Sequence, residues 1–195
     1  ARYPRFKKKG QRDSFYISND KFKVDGAYVK LPKIGRVKMT EGLRFKGKIM
    51  SATISREADR WFISFQVDVG EVEKSHGAEV IGVDLGVKTS VTLSDGTKFE
   101  GPKPLKDNLK RLKKRQRKHS RKVKGSRNRA KSALRLSRLH RKVRNSRKDF
   151  LHKVTSTLVS KAKTLVIEDL NVKGMLSNSR LARAIGDSGF YEFRR

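Results

Sequence analysis

Val80-Ile81-Gly82-Val83-Asp84-Leu85 is the stretch that decides the fold. It is apolar almost throughout, as a central strand buried on both faces should be, and it closes on an acid. Downstream of it, Ser90-Val91-Thr92-Leu93, a tight turn at Ser94-Asp95-Gly96 and Thr97-Lys98-Phe99-Glu100 complete a three-stranded meander. Gly101-Pro102-Lys103-Pro104 breaks the strand pattern and a helical one begins. Leu105, Leu109 and Leu112 fall at helical spacing, with Val123 on the same stripe. After Gly125-Ser126 the period resumes through Leu136, Leu139, Val143, Phe150, Val154 and Leu158. That pattern predicts an antiparallel helical hairpin over about residues 105–162. Thr164-Leu165-Val166-Ile167-Glu168 then reads as another apolar strand ending on a carboxylate. Residues 171–195 read as a loop and the start of a helix, capped by Asp187 or Ser188.

Upstream the pattern is different. Trp61, Ile63, Phe65, Val67 and Val69 alternate with mostly polar neighbours, which is a strand with one buried face. Lys48–Ser55 is its partner across a hairpin loop at 56–60, and Phe15–Ser18, Lys21–Val24 and Tyr28–Leu31 are shorter strands between turn pairs. Short strands at this spacing predict a small antiparallel barrel over residues 1–76, joined by a linker at 71–77 to a second domain at 77–195. Trp61, Phe62 and Phe65 are expected in its core. Phe15, Tyr16 and Tyr28 are expected there too, with base stacking on the barrel surface as the alternative.

The chain has 195 residues, 50 Lys and Arg against 19 Asp and Glu, and a net charge of +31. No apolar run approaches the roughly 18 residues of a membrane helix. Cysteine is absent, which excludes disulfides and any Cys-ligated zinc within these residues and suits a reducing cytoplasm. A first residue other than Met suggests a processed or partial chain. About twenty Lys or Arg between Lys103 and Lys148 stand against one acid, Asp107. A solvated helix face normally mixes signs, because like charges at i,i+4 spacing destabilise it. The surplus therefore points to a polyanion, with Lys110, Arg111, Lys113, Lys114, Arg115, Arg117, Lys118, Arg121, Lys122, Arg127, Arg129, Arg138, Arg141 and Lys142 as contacts.

Asp84 and Glu168 are the candidate catalytic and metal-binding residues. An acid on a buried strand is costly unless paired or metal-bound. In a strand–strand–strand–helix–strand order the first and fourth strands are commonly neighbours, which would bring these two together. Their repulsion would be relieved by a divalent cation, and oxygen-only ligands favour Mg²⁺ or Mn²⁺. Strand capping is the competing reading of each acid. His119 and His152 are expected to pack or face solvent, and no phosphate-binding Gly-rich loop is present, which disfavours an actin-like ATPase.

Gly82-Val83-Asp84-Leu85-Gly86-Val87-Lys88, Lys148-Asp149-Phe150-Leu151-His152-Lys153, Ile167-Glu168-Asp169-Leu170-Asn171 and Ser188-Gly189-Phe190-Tyr191-Glu192-Phe193 together resemble the TnpB (OrfB) transposon proteins. Pro4-Arg5-Phe6-Lys7 and Leu31-Pro32-Lys33-Ile34-Gly35 resemble the family's wedge domain. The resemblance implies an α+β and α/β chain, with a wedge-like β-barrel followed by part of a RuvC-like, ribonuclease-H-type nuclease sheet. It implies an RNA-guided DNA endonuclease, related to the type V CRISPR effectors, acting with guide RNA, target DNA and Mg²⁺ in a prokaryotic cytoplasm. Asp84 and Glu168 would be the first two of three catalytic acids. The family's third acid, its four-Cys zinc ribbon and its N-terminal helical region have no counterpart in residues 1–195, so a fragment or truncated copy is expected. The alternative is a truncated, catalytically inactive nucleic-acid-binding protein.

Overall fold

The computed structural model describes residues 13–71 and 77–194. Pro4-Arg5-Phe6-Lys7 and most of the expected linker lie outside them. The chain divides into two compact units, Ala1–Glu73 and Lys74–Arg195.

In the first unit, β1 (Ser14–Ser18) leads through a single 3-10 turn, Asn19–Lys21, into β2 (Lys23–Asp25), β3 (Tyr28–Leu31), β4 (Gly35–Lys38), β5 (Lys48–Glu57) and β6 (Arg60–Asp68). They make two three-stranded antiparallel sheets, ordered β1-β5-β6 and β2-β3-β4. The expected barrel is corrected: among the described residues no ladder joins the two sheets into a closed ring. β2, β3 and β4 are only three or four residues long and pair with one another alone. Side chains join the sheets instead. Ile17, Ala52 and Ile54 from one pack with Val29 and Leu31 from the other, beside Phe22.

Alternation along β6 is real but shallower than expected. Ile63 and Phe65 turn inward opposite Ile54 and Ala52. Trp61, expected in the core, is 58% exposed, because it sits at the hairpin end opposite Arg56, whose guanidinium lies 5.9 Å from its ring centroid. Phe62 is exposed as well, since the period of two sends it to the other face. Phe15 and Tyr16 are likewise exposed, and Tyr28 is half-buried with the Arg36 guanidinium 4.0 Å above its ring. The hairpin loop is shorter than the polar run suggested. Glu57 pairs with Arg60, so only Ala58-Asp59 turns the chain, with Ala58 at φ 56°.

The second unit contains β7 (Ala78–Asp84), β8 (Val91–Leu93), β9 (Lys98–Phe99), α1 (Pro104–Ser120), α2 (Arg127–Lys161), β10 (Ala162–Ile167), α3 (Val172–Leu176), α4 (Ala182–Ser188) and α5 (Phe190–Arg194). The sheet order is β10-β7-β8-β9, with β7 and β10 parallel and the other pairs antiparallel. First and fourth strands are therefore neighbours. Burial on both faces of β7 is corrected. Ile81 and Val83 are buried, whereas Val80 is 55% exposed, and Val166 on β10 is 58% exposed. Leu151, Val154 and Leu158 of α2, with Ile185, Phe190 and Phe193, cover one face of the sheet. An apolar run reads the same whether one face or two are covered. Lys161 at the end of α2 donates to Asp95 (2.8 Å) and Thr97 (3.0 Å), tying the helix to the β8–β9 turn.

Helices α1 and α2 form the expected hairpin, closed by a small core of Leu112, Leu139 and Val143 with Leu105 and Leu136. Val123, expected on the stripe, is 76% exposed in the connection. Gly125 at φ +83° reverses the chain there, and the Ser126 hydroxyl accepts from Arg129 N (3.1 Å) to start α2.

Candidate nucleic-acid interface and acidic strand ends

Pairing of Ile167 with Val83 in the parallel β7–β10 ladder, continued by one residue, sets Glu168 opposite Asp84 at the carboxyl ends of the two strands. Both side chains are exposed. Glu168 also lines a cleft of about 260 Å³ with Leu85, Asn171, Phe190 and Tyr191. Its neighbour Asp169 is held in an ion pair with Arg194. Among the described residues no group of three His, Cys, Asp or Glu side chains is assembled for a metal. The glycine of Asp84-Leu85-Gly86 has a steric reason. A Cβ there would lie 2.6 Å from the Thr89 carbonyl oxygen, so a side chain would prise open the loop carrying the chain from β7 towards β8.

The expected phosphate contacts separate into groups. Arg111, Lys114, Arg115, Lys118 and Lys122 line one groove of about 800 Å³ with Lys131 and Arg135 of α2, and no acid lines it. Sequence reasoning passed over Lys131 and Arg135; continuing the helical period of α2 towards its N-terminus would have found them. Lys113 and Arg117 line a different, shallower groove beside Leu112 and His140. Lys110, Arg121, Arg127 and Lys142 are exposed outside both, as is Arg138, while Arg141 is half-buried. Two of the arginines also have structural roles. Arg115 donates to the Arg135 carbonyl (2.5 Å), and Arg129 donates to the carbonyls of Lys122 (2.7 Å) and His119 (3.4 Å), closing the hairpin. His152 is exposed and His119 half-buried.

Asp187 is a helix cap, as expected, but of a different helix. It lies within α4, is 5% exposed, and accepts from Leu105 N (3.0 and 3.1 Å) and Lys106 N (3.1 Å) at the start of α1. Two residues on, Gly189 ends α4 at φ +75°, with Arg147 packed so closely that a Cβ would meet its Cδ at 2.7 Å. Arg147 Nε donates to Glu192 (2.9 Å) and its Nη1 to the Gly186 carbonyl (3.2 Å). The Arg147 guanidinium holds the Glu192 carboxyl below its ordinary range, against the opposing effect of burial. Phe190 and Phe193 enter the core of the sheet. The segment thus fastens α1, α2 and the sheet together.

Residues 64–179 match the OrfB_IS605 family model, described as "Probable transposase". A relative from Escherichia coli (strain K12), named "Putative RNA-guided DNA endonuclease InsQ", is 37% identical over 212 residues, covering 100% of this chain and 53% of the relative. Another, from Streptomyces pristinaespiralis and named "Putative RNA-guided DNA endonuclease", is 36% identical over 199 residues, covering 100% of this chain and 50% of the relative. The chain spans about half the length of these curated relatives. No described helix is long and apolar enough to cross a membrane.

Proposed function

The chain belongs to the OrfB family of probable transposases, and from that premise we propose that it is the wedge-like and RuvC-like part of an RNA-guided DNA endonuclease. The strand order β10-β7-β8-β9, with β7 and β10 parallel, β7 ending at Asp84 and β10 ending one residue before Glu168, is the observation that supports the reading most. Such an order agrees with a ribonuclease-H-type sheet. Guide pairing would supply sequence recognition, while the cationic groove between α1 and α2 takes the sugar–phosphate backbone of guide RNA and target DNA in a prokaryotic cell.

The donor set fits a hard cation. Asp84 and Glu168 offer water-accessible oxygens, and Mg²⁺ keeps several waters while taking one or two carboxylates; Mn²⁺ suits the same ligands. When bound, such an ion supplies Lewis-acid and water-activating chemistry at a phosphodiester. The chain's own contribution is to hold two carboxylates in parallel register and to keep a cationic surface for the backbone.

Mn²⁺ binding followed by electron paramagnetic resonance tests the site. Asp84→Asn and Glu168→Gln should each release the ion while leaving oligonucleotide affinity within about twofold, since neither carries positive charge. Mn²⁺ retained equally by both variants would refute the shared site. A second reading, nucleic-acid binding without cutting, is supported by the cationic groove, which needs neither carboxylate. Incubation with Mg²⁺, guide RNA and target DNA separates the two. Cleavage by this chain that disappears in Asp84→Ala would exclude the binding-only reading.

A further inference from the structure

A second cleft in the Lys74–Arg195 unit, about 280 Å³, lies between the loop after β7 and helix α4. Val87 and Phe150, both half-buried, give it apolar walls. Four exposed cations line it: Lys103, Lys106, Arg180 and Arg183. Two further charged groups reach the cleft and both are already engaged. Arg147 is paired with Glu192, and Asp187 is occupied by the α1 amides. None of the four remaining cations is ion-paired with a described residue. The Asp187 carboxylate, bonded only to neutral amides, offsets one of these four charges, and the surplus of three positive charges around one small cleft is repulsive unless a further anion is shared between them. The apolar wall is also fixed in place. Gly101 N donates to the Ser90 hydroxyl (3.0 Å), and a Cβ on Gly101 would lie 3.0 Å from the Phe150 ring, so the ring edge is wedged against backbone.

Charge alone would suit any anion. The combination of an aromatic wall with a cationic rim suits a ligand with both a flat apolar part and a phosphate. We infer that this cleft seats one nucleotide of a single-stranded nucleic acid, its base against Phe150 and Val87 and its phosphates on Lys106, Arg180 and Arg183. The site rests on the nuclease reading above and adds to it a positioning site for the strand. Val87 is three residues from Asp84, hence no more than about 11 Å away along the chain, so a strand anchored here passes close to the acidic strand ends.

The test uses fluorescence anisotropy with a labelled oligothymidine and an abasic strand of equal length and charge. Base stacking on Phe150 should make the wild-type chain bind the base-bearing strand about tenfold more tightly. Arg180→Gln/Arg183→Gln should remove that preference and make the salt dependence shallower by about 0.7 to 1.4 in log–log slope. Phe150→Leu should remove the preference and leave the slope unchanged, with circular dichroism verifying that each variant folds. Arg111→Gln/Lys114→Gln, in the helical groove, should weaken both strands alike and keep the preference. Competition separates the sources of the chemistry: thymidine monophosphate should erode the preference, and inorganic phosphate at the same ionic strength should not. Equal binding of the two strands by the wild type, or a preference untouched in both cleft variants, would overturn the assignment. All of these readouts are independent of cleavage and of metal, so a failed nuclease reading would leave them standing, and the reverse holds too.

Discussion

Asp187→Ala isolates the cap that the C-terminal segment places on α1. The wild-type carboxylate accepts from two amides, Leu105 N and Lys106 N, at 3.0–3.1 Å, and is 5% exposed. Losing an N-cap costs about 0.5–2 kcal/mol, and a buried donor left without an acceptor about 1–3 kcal/mol. Leu105 is half-buried and Lys106 exposed, so water can replace one of the two bonds. The negative charge also offsets the positive end of a helix whose first turn holds Asp107 as its own acid. The expected loss is about 2 kcal/mol, or roughly a thirtyfold rise in the opening equilibrium of the first turn. Amide hydrogen exchange reads this directly: residues 105–108 should exchange about thirtyfold faster in Asp187→Ala. Asp187→Asn, which keeps one acceptor oxygen and loses the charge, should fall between the two. Exchange within twofold of wild type in the alanine variant would refute the capping role.

Neutralising Arg111, Lys114 and Lys118 together should reduce the log–log salt slope of oligonucleotide binding by about 2–3, equally for all sequences; an unchanged slope would remove the α1–α2 groove from the interface. The Lys161 ammonium, with help from Thr97, holds the Asp95 carboxyl at about 2 against an ordinary 3.8. A depressed folded value means a stabilising contribution that is complete above about pH 4 and lost as pH falls through about 2. Asp95→Asn should therefore flatten the decline of the urea midpoint across that window, and an identical decline in both proteins would count against the pair. Gly189→Ala should destabilise the second unit by about 1–2 kcal/mol, because its φ of +75° is strained for alanine and Arg147 blocks the Cβ; an unchanged urea midpoint would show that the segment yields there.

What could be read in the sequence was whatever repeats locally. The period of two in Trp61–Val69 and the 3.6-residue period from Leu136 to Leu158 each describe one element, and those elements formed, although Trp61 and Val69 on the expected buried side of the strand are exposed. Element order carried the neighbouring of β7 and β10. Closure of a barrel was beyond reach, because it depends on ladders between strands distant in sequence. So was the exposure of Val80 and Val166, since apolar content does not say how many faces are covered. β4 escaped notice because Gly35-Arg36-Val37-Lys38 carries one apolar side chain, itself exposed. The partner of Asp187 could not be found by any local rule, as it lies 82 residues earlier.

Asp187, Gly189, Phe190, Glu192 and Phe193 form one short stretch, yet their partners lie in three different elements: α1 takes Asp187, Arg147 of α2 takes both Gly189 and Glu192, and the core of the sheet takes the two phenylalanines. Each attachment alone is modest, about 1–3 kcal/mol for a charge-assisted bond and about 2–3 for a buried phenylalanine. Joined in one stretch they are coupled, because loss of any one loosens the anchor of the others. For the proposed function the coupling would matter, since α1 and α2 carry the cationic groove and the sheet carries Asp84 and Glu168. Packing α2 directly into β10 fixes only one end of the helical hairpin to the sheet. The 187–193 stretch ties the start of α1 to the unit as well, through Asp187 and the amides of Leu105 and Lys106. Under the proposed function, a nucleic acid held by the groove would meet the carboxylates at one place along its backbone, as cutting would require of the scaffold.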